Sequence, residues 1–246
     1  MSISKREVIK SQRLKKKRQQ RQAAIFGVGG FILLVVLLIA LPTIINDLRP
    51  AGEFVTITPV ERPLVDGKTM GDPDAPVTIE VFEDFQCPAC KNFAESVETQ
   101  LVTSNYIQDG QVYVVFRQYP FLDDGIASNE SDQTANASMC AMEQGRFWDY
   151  HDMLYANQNG ENNGAFVDRR LVAFAEALNL DMRQFNTCFD NNTYLPEIEA
   201  DIEAGRAYGV TGTPSVFVNG THLTPGFVPS YEEMVGAIET ALAAGG

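Results

Sequence analysis

Positive charge is scarce over most of this chain. Nine of its 19 Lys and Arg fall within residues 1–21, beside a single acid, Glu7. The other 225 residues hold ten, against thirty-one acids. The tail therefore carries +8 and the remainder −21, within a net charge of −13. A body so short of cations offers no basic groove for a phosphate backbone, so no nucleic-acid partner is expected. Histidine is limited to His151 and His222, and cysteine to Cys87, Cys90, Cys140 and Cys188. A zinc site usually takes about four such ligands, often in two close pairs. Only Cys87 and Cys90 are close, so neither a metal nor a cofactor is expected.

Charge of either sign is missing between Gln22 and Asn46. Ala23 to Ile45 is dense in Ile, Leu, Val and Phe and shows no amphipathic period. A helix of that length, at about 1.5 Å per residue, spans a hydrocarbon core of roughly 30 Å. A cleaved signal peptide would have a shorter apolar region and a small-residue cleavage site, and Ala40-Leu41-Pro42 is a poor one. We therefore expect a basic cytoplasmic tail over 1–22 and a single-pass anchor over 23–45. The positive-inside rule then puts the acidic body outside the cytoplasm, in a periplasm or at the cell exterior.

Residues 46–70, rich in Pro and Gly, read as a linker with a short edge strand at Phe54–Thr58. The run Val77-Thr78-Ile79-Glu80-Val81-Phe82 reads as a buried strand, a helix is expected from about Cys90 to Val102, and Gln111–Tyr119 reads as a second strand. Strand, helix, strand at this spacing predicts a βαβ unit with parallel strands. Helical segments fill about 125–208. The chain then returns to β at Pro214–Val218, turns at Asn219-Gly220 and ends in a helix from Ser230, with Glu233 completing a capping box.

Cys87-Pro88-Ala89-Cys90 sits where the first strand gives way to the first helix. Unpaired N–H groups and a partial positive charge at a helix start favour a thiolate. Cys87 is thus expected to be acidic and nucleophilic, with Cys90 one turn on as the resolving thiol. Pro88 suits the first helical turn. An inert disulfide or half a zinc site is the alternative. An even cysteine count supports pairing without fixing it. Local spacing joins Cys87 with Cys90 and leaves Cys140 with Cys188 as a structural disulfide, a second redox relay or two free thiols.

The order βαβ, helical insert, ββα, with Cys-x-x-Cys after the first strand and Gly212-Thr213-Pro214-Ser215-Val216 later, resembles the DsbA-like family of disulfide oxidoreductases. The resemblance runs over roughly 56–245 and implies a thioredoxin fold, α/β with a central mixed sheet, over 71–246. It implies that Pro214 is cis beside the cysteines and that the Thr213 backbone pairs with an extended substrate. It implies exported, thiol-containing proteins as substrates and a membrane reoxidase of DsbB or VKOR type as partner. Ala89 stands where relatives carry a cationic histidine, which predicts a less oxidising couple. The family's buried acid, six residues before the first cysteine, is replaced by Val81. Glu80 is then the candidate proton acceptor, with a solvent-facing or salt-bridged Glu80 as the alternative. Glu83 and Asp84 lie near, and their charge would oppose thiolate formation. A reductase or isomerase using the same site, or a redox-inactive binding or metal-delivery module, are the other functions this fold supports.

Overall fold

The computed structural model describes residues 21–22, 29–31, 33–41 and 50–245. Met1–Pro50 and Ala51–Gly246 are separate compact units. In the first, residues 29–31 and 33–41 are helical. Among the described residues no helix is long and apolar enough to cross a membrane. Much of the expected 23–45 span, and nearly all of the 1–22 tail, lies outside the described residues.

The second unit is built on a six-stranded mixed sheet. Its strands are β1 (Val65–Asp66), β2 (Thr69–Met70), β3 (Val77–Glu83), β4 (Val112–Gln118), β5 (Ser215–Val218) and β6 (Thr221–Leu223), in spatial order β1-β2-β4-β3-β5-β6. β3 and β4 are parallel, as the βαβ reading requires, with Val77 opposite Val112 and Glu83 opposite Gln118. Every other pairing is antiparallel. Alternation along β3 sends Val77, Ile79, Val81 and Glu83 to one face, where the main core lies. Phe82 turns to the other face and packs with Tyr119, Val210 and Phe217.

The first helix starts as α1 (Pro88–Phe93), widens into a π-turn over Ala94–Glu98 and continues as α2 (Thr99–Thr103). The π-turn carries both Val97 and Glu98 inward. π-turns inside α-helices are often found at functional sites. After α3 (Asn105–Gln108) and β4 come the insert helices α4 (Glu130–Met142), α5 (Phe147–Asn157), α6 (Asp168–Ala177), α7 (Met182–Asp190) and α8 (Leu195–Tyr208). Cys140 on α4 is bonded to Cys188 on α7, with Cα atoms 5.7 Å apart. Asn219 and Gly220 both have positive φ, as a two-residue hairpin turn demands. The last helix, α9 (Tyr231–Ala243), carries the expected capping box of Ser230 and Glu233.

The expected edge strand at Phe54–Thr58 is not formed. Phe54 and Ile57 instead pack against the core, and Asn157 binds the Val55 backbone at both its N–H (2.8 Å) and its C=O (2.9 Å). That side chain satisfies the groups a neighbouring strand would have taken. Residues 51–70, expected as linker, thus belong to the folded unit and supply the β1–β2 hairpin at the sheet edge.

Candidate active site

β3 ends at Glu83, and the next four residues form the turn that delivers Cys87 to the N-cap of α1. Asp84 fixes this turn. One of its carboxylate oxygens accepts from the Gln86 N–H (2.8 Å) and the Ser131 hydroxyl (2.9 Å). The other accepts from the N–H groups of Phe121 (3.0 Å) and Leu122 (3.1 Å). From the insert, the Gln158 amide donates to the carbonyls of Phe85 (2.8 Å) and Cys87 (2.9 Å). The helical insert therefore holds the redox turn in place.

Cys87 and Cys90 are both free thiols here. Cys87 keeps 7% of its surface exposed and Cys90 none. Their acidities diverge accordingly. The Cys87 thiol is lowered to about 6, chiefly by a hydrogen bond from Cys90. Burial opposes this, and Thr213 and the N–H groups of Cys90 and Ala89 reinforce it. Burial pushes the Cys90 thiol well above its usual value, and the charges of Glu83 and Cys87 push the same way. Pro88 is the exposed first residue of α1, and Ala89 is half-buried against the core. The Thr213–Pro214 bond is cis, and the Thr213 carbonyl accepts from the Cys87 thiol at 3.2 Å.

Two buried thiols one helical turn apart, one made acidic and the other not, are suited to disulfide exchange. A family model described as thioredoxin matches residues 64–240. The chain belongs to the thioredoxin family. Among its relatives is the probable disulfide bond formation protein D of Bacillus cereus, 28% identical over 206 residues, covering 80% of this chain and 90% of the relative. Among solved structures, oxidised BdbD from Bacillus subtilis matches with a TM-score of 0.63 at 24% identity, covering 78% of this chain and 100% of that one. A thioredoxin-like oxidoreductase from Silicibacter pomeroyi matches with a TM-score of 0.56 at 26% identity, covering 71% and 91%. This thioredoxin-family protein is a thiol:disulfide oxidoreductase.

The structure gathers Cys87, Cys90, Thr213 and Pro214, but not Glu80. The Glu80 carboxylate is bonded to Arg117 (3.0 Å) and to the Tyr208 hydroxyl (3.2 Å) on the opposite face of the sheet, the salt-bridged alternative. Strand alternation is the reason. Val81 and Glu83 share the core face, so the acid beside the cysteines is Glu83, two residues further along the same row. Glu83 is 1% exposed. One of its oxygens accepts from the Tyr155 hydroxyl at 2.7 Å, and the other is buried without a partner. Burial, and then the neighbouring Glu98 charge, raises this carboxyl well above the usual range. Sequence reasoning named Glu83 only as an obstacle to the thiolate and passed over Asp84 and Gln158 as the residues that fix the turn.

Proposed function

We propose that this protein is a membrane-tethered oxidase that introduces disulfides into exported proteins outside the cytoplasm. The observation that supports the oxidising direction is the placement of Cys87 at the N-cap of α1, where hydrogen bonds from Cys90 and from the N–H groups of Cys90 and Ala89 lower its thiol to about 6. A stabilised Cys87 thiolate stabilises the reduced enzyme and makes its disulfide a better oxidant. In the reaction, a substrate thiolate attacks Cys87 in the Cys87–Cys90 disulfide. The bond between the two enzyme sulfurs breaks, and Cys90 leaves with its electron pair and takes a proton from Glu83. A second substrate thiolate then attacks the substrate sulfur of the mixed disulfide and releases Cys87 as its thiolate. Substrate is oxidised by two electrons and the enzyme is reduced by two. A membrane reoxidase of DsbB or VKOR type restores the enzyme disulfide.

The Thr213 backbone, carried beside Cys87 by Pro214, is the edge on which an extended substrate docks. The basic tail and the apolar 23–45 stretch support the tether. The Cys140–Cys188 disulfide supports an oxidising compartment, where such bonds persist.

The reduction potential tests the direction. Equilibration with thiol buffers should place it between about −270 mV, where thioredoxin lies, and about −120 mV, where DsbA lies. The Cys87 acidity falls between the roughly 7 and 3.5 of those two proteins, and Ala89 supplies no imidazolium to lower it further. A potential at or below the thioredoxin end would overturn the oxidase reading.

Glu83 gives a stability prediction with a defined sign. A carboxyl raised in the folded state contributes stability that is complete below its unfolded value. That stability is lost as pH rises toward its folded value. Glu83→Gln removes the charge that burial disfavours. The variant should gain on the parent with rising pH, by up to about 1.4 kcal/mol per unit, starting near the ordinary glutamate range. Denaturant unfolding at a series of pH values measures this, and a constant gap across the series would refute it.

A further inference from the structure

Glu83 is sealed from water, so a proton it takes from Cys90 must travel onward. Three buried groups meet beyond it. One carboxylate oxygen from each of Glu83 and Glu98 and one ring nitrogen of His151 lie within 4.8 Å of one another. Each group is tied at its other end. Glu83 is held by the Tyr155 hydroxyl, Glu98 by Arg62 (2.7 Å) and His151 Nδ1 by Asp152 (3.0 Å). The inner ends are left over. Glu83 Oε1 and His151 Nε2 have no hydrogen-bond partner, and Nε2 lies 3.5 Å from Glu98. Nδ1 lies at hydrogen-bond distance from Asp152 while Nε2 makes no hydrogen bond, so hydrogen is assigned to Nδ1 and the Nε2 lone pair to the inner side.

We propose that His151 is a proton-relay residue that links Glu83 to solvent through Asp152. It acts through Glu83 rather than on the sulfurs, and the proposal rests on the redox reading of the cysteines. The relay works when the reduced enzyme is reoxidised. Cys90 gives its proton to the Glu83 carboxylate. Its sulfur then attacks Cys87 in a mixed disulfide, and the partner's sulfur leaves with the electron pair. Glu83 passes the proton to His151 Nε2, and the Nδ1 proton leaves to solvent along Asp152, whose carboxylate stays ionised between Arg62 and the ring and orients the exchange. The Asp152 side chain is 14% exposed, against 1% for His151 and 5% for Glu98, so it is the end of the path that meets water.

The surroundings of His151 fit a fixed shuttle. Phe85 and Phe116, with Trp148 and Tyr155 from its own helix, wall the ring at centroid distances of 4.8 to 5.8 Å. Between them and the polar groups the ring is 1% exposed. The charged groups facing the ring are Glu83 from β3, Glu98 from the π-turn and Asp152 from α5. Arg62 bridges Glu98 and Asp152 at 2.7 Å each and fixes both side chains against the ring. The Glu98 carboxylate lies 3.5 Å from Nε2. The π-turn thus has a role, since it carries Glu98 to the ring.

The test uses the full chain, reduced, with a dithiobis(nitrobenzoate) probe. Attack by Cys87 releases one coloured thiolate, and resolution by Cys90 releases the second. In His151→Gln the second phase should slow about tenfold or more near pH 6, the first should keep its rate, and the gap should close as pH rises and hydroxide replaces the relay. Should that variant fail to fold, Asp152→Asn is measured in the same way and should give the same pattern. An unchanged second phase, equal slowing of both phases at every pH, or one equivalent of divalent metal retained by the purified parent would each overturn the relay. A parent that releases no second thiolate overturns the redox reading itself, and the relay with it.

Discussion

Cys90→Ser will leave Cys87 able to attack and unable to let go. The intermediate is a disulfide between Cys87 and a substrate, and in the parent it is short-lived because Cys90 sits one helical turn away. With a hydroxyl in place of that sulfur, no internal thiol resolves it. Disulfide-linked adducts should accumulate in cells and disappear on reduction, visible as slow-migrating bands on non-reducing gels. Cys87→Ser should abolish both the adducts and catalysis, with a loss of at least about a thousandfold, because a hydroxyl replaces a thiol that is mostly thiolate at neutral pH. The asymmetry is the diagnostic part. Cys90 is fully buried and its thiol is held neutral, so it should not trap substrates when Cys87 is the residue removed. Equal trapping by both single variants would contradict the assignment of nucleophile and resolver.

The signals behind that assignment are local, which is why the sequence alone suggests it. A strand pattern, two cysteines and a proline fall between Val77 and Cys90, and helix-terminus electrostatics then say which thiol is acidic. The parallel β3–β4 pair and the closing hairpin were legible for the same reason. The acid beside Cys90 is Glu83, while Glu80 takes its salt-bridged alternative with Arg117. The position that Val81 occupies and the position of Glu83 are two apart on one strand, so they share a face, whereas Glu80 points away. The β strand also ends at Glu83 rather than Phe82, which brings that acid inside the pattern. Arg62 was invisible to any local reading. Its partners Glu98 and Asp152 lie far along the chain, and nothing in a Pro-rich stretch signals that an arginine there will be buried between them. The β1–β2 hairpin was missed because strands of two residues carry no period to detect.

Removing the second disulfide should cost stability and spare the chemistry. Cys140 and Cys188 close a loop with a sequence separation of 48. The chain-entropy estimate for such a loop is about 4 kcal/mol. For a domain of this size, that corresponds to a fall in Tm of about 8–16 °C. The bond joins α4 to α7, and the Asn136 amide on α4 also donates to the Phe189 carbonyl at the end of α7 (2.9 Å). Ser131 on α4 in turn holds Asp84, which fixes the redox turn. The two helices therefore keep partial contact without the disulfide, and the turn keeps its anchor while the protein is folded. A Cys140→Ala/Cys188→Ala variant should unfold at lower temperature and retain its exchange rate with small disulfides well below that temperature. A second redox relay predicts the reverse, an intact Tm with slowed turnover. Both sulfurs are buried, at 0% and 3% exposure, and neither has a second cysteine within a helical turn to receive electrons. Substrate disulfides cannot reach them without unfolding, so the geometry favours a staple that preserves the platform on which Cys87 is presented.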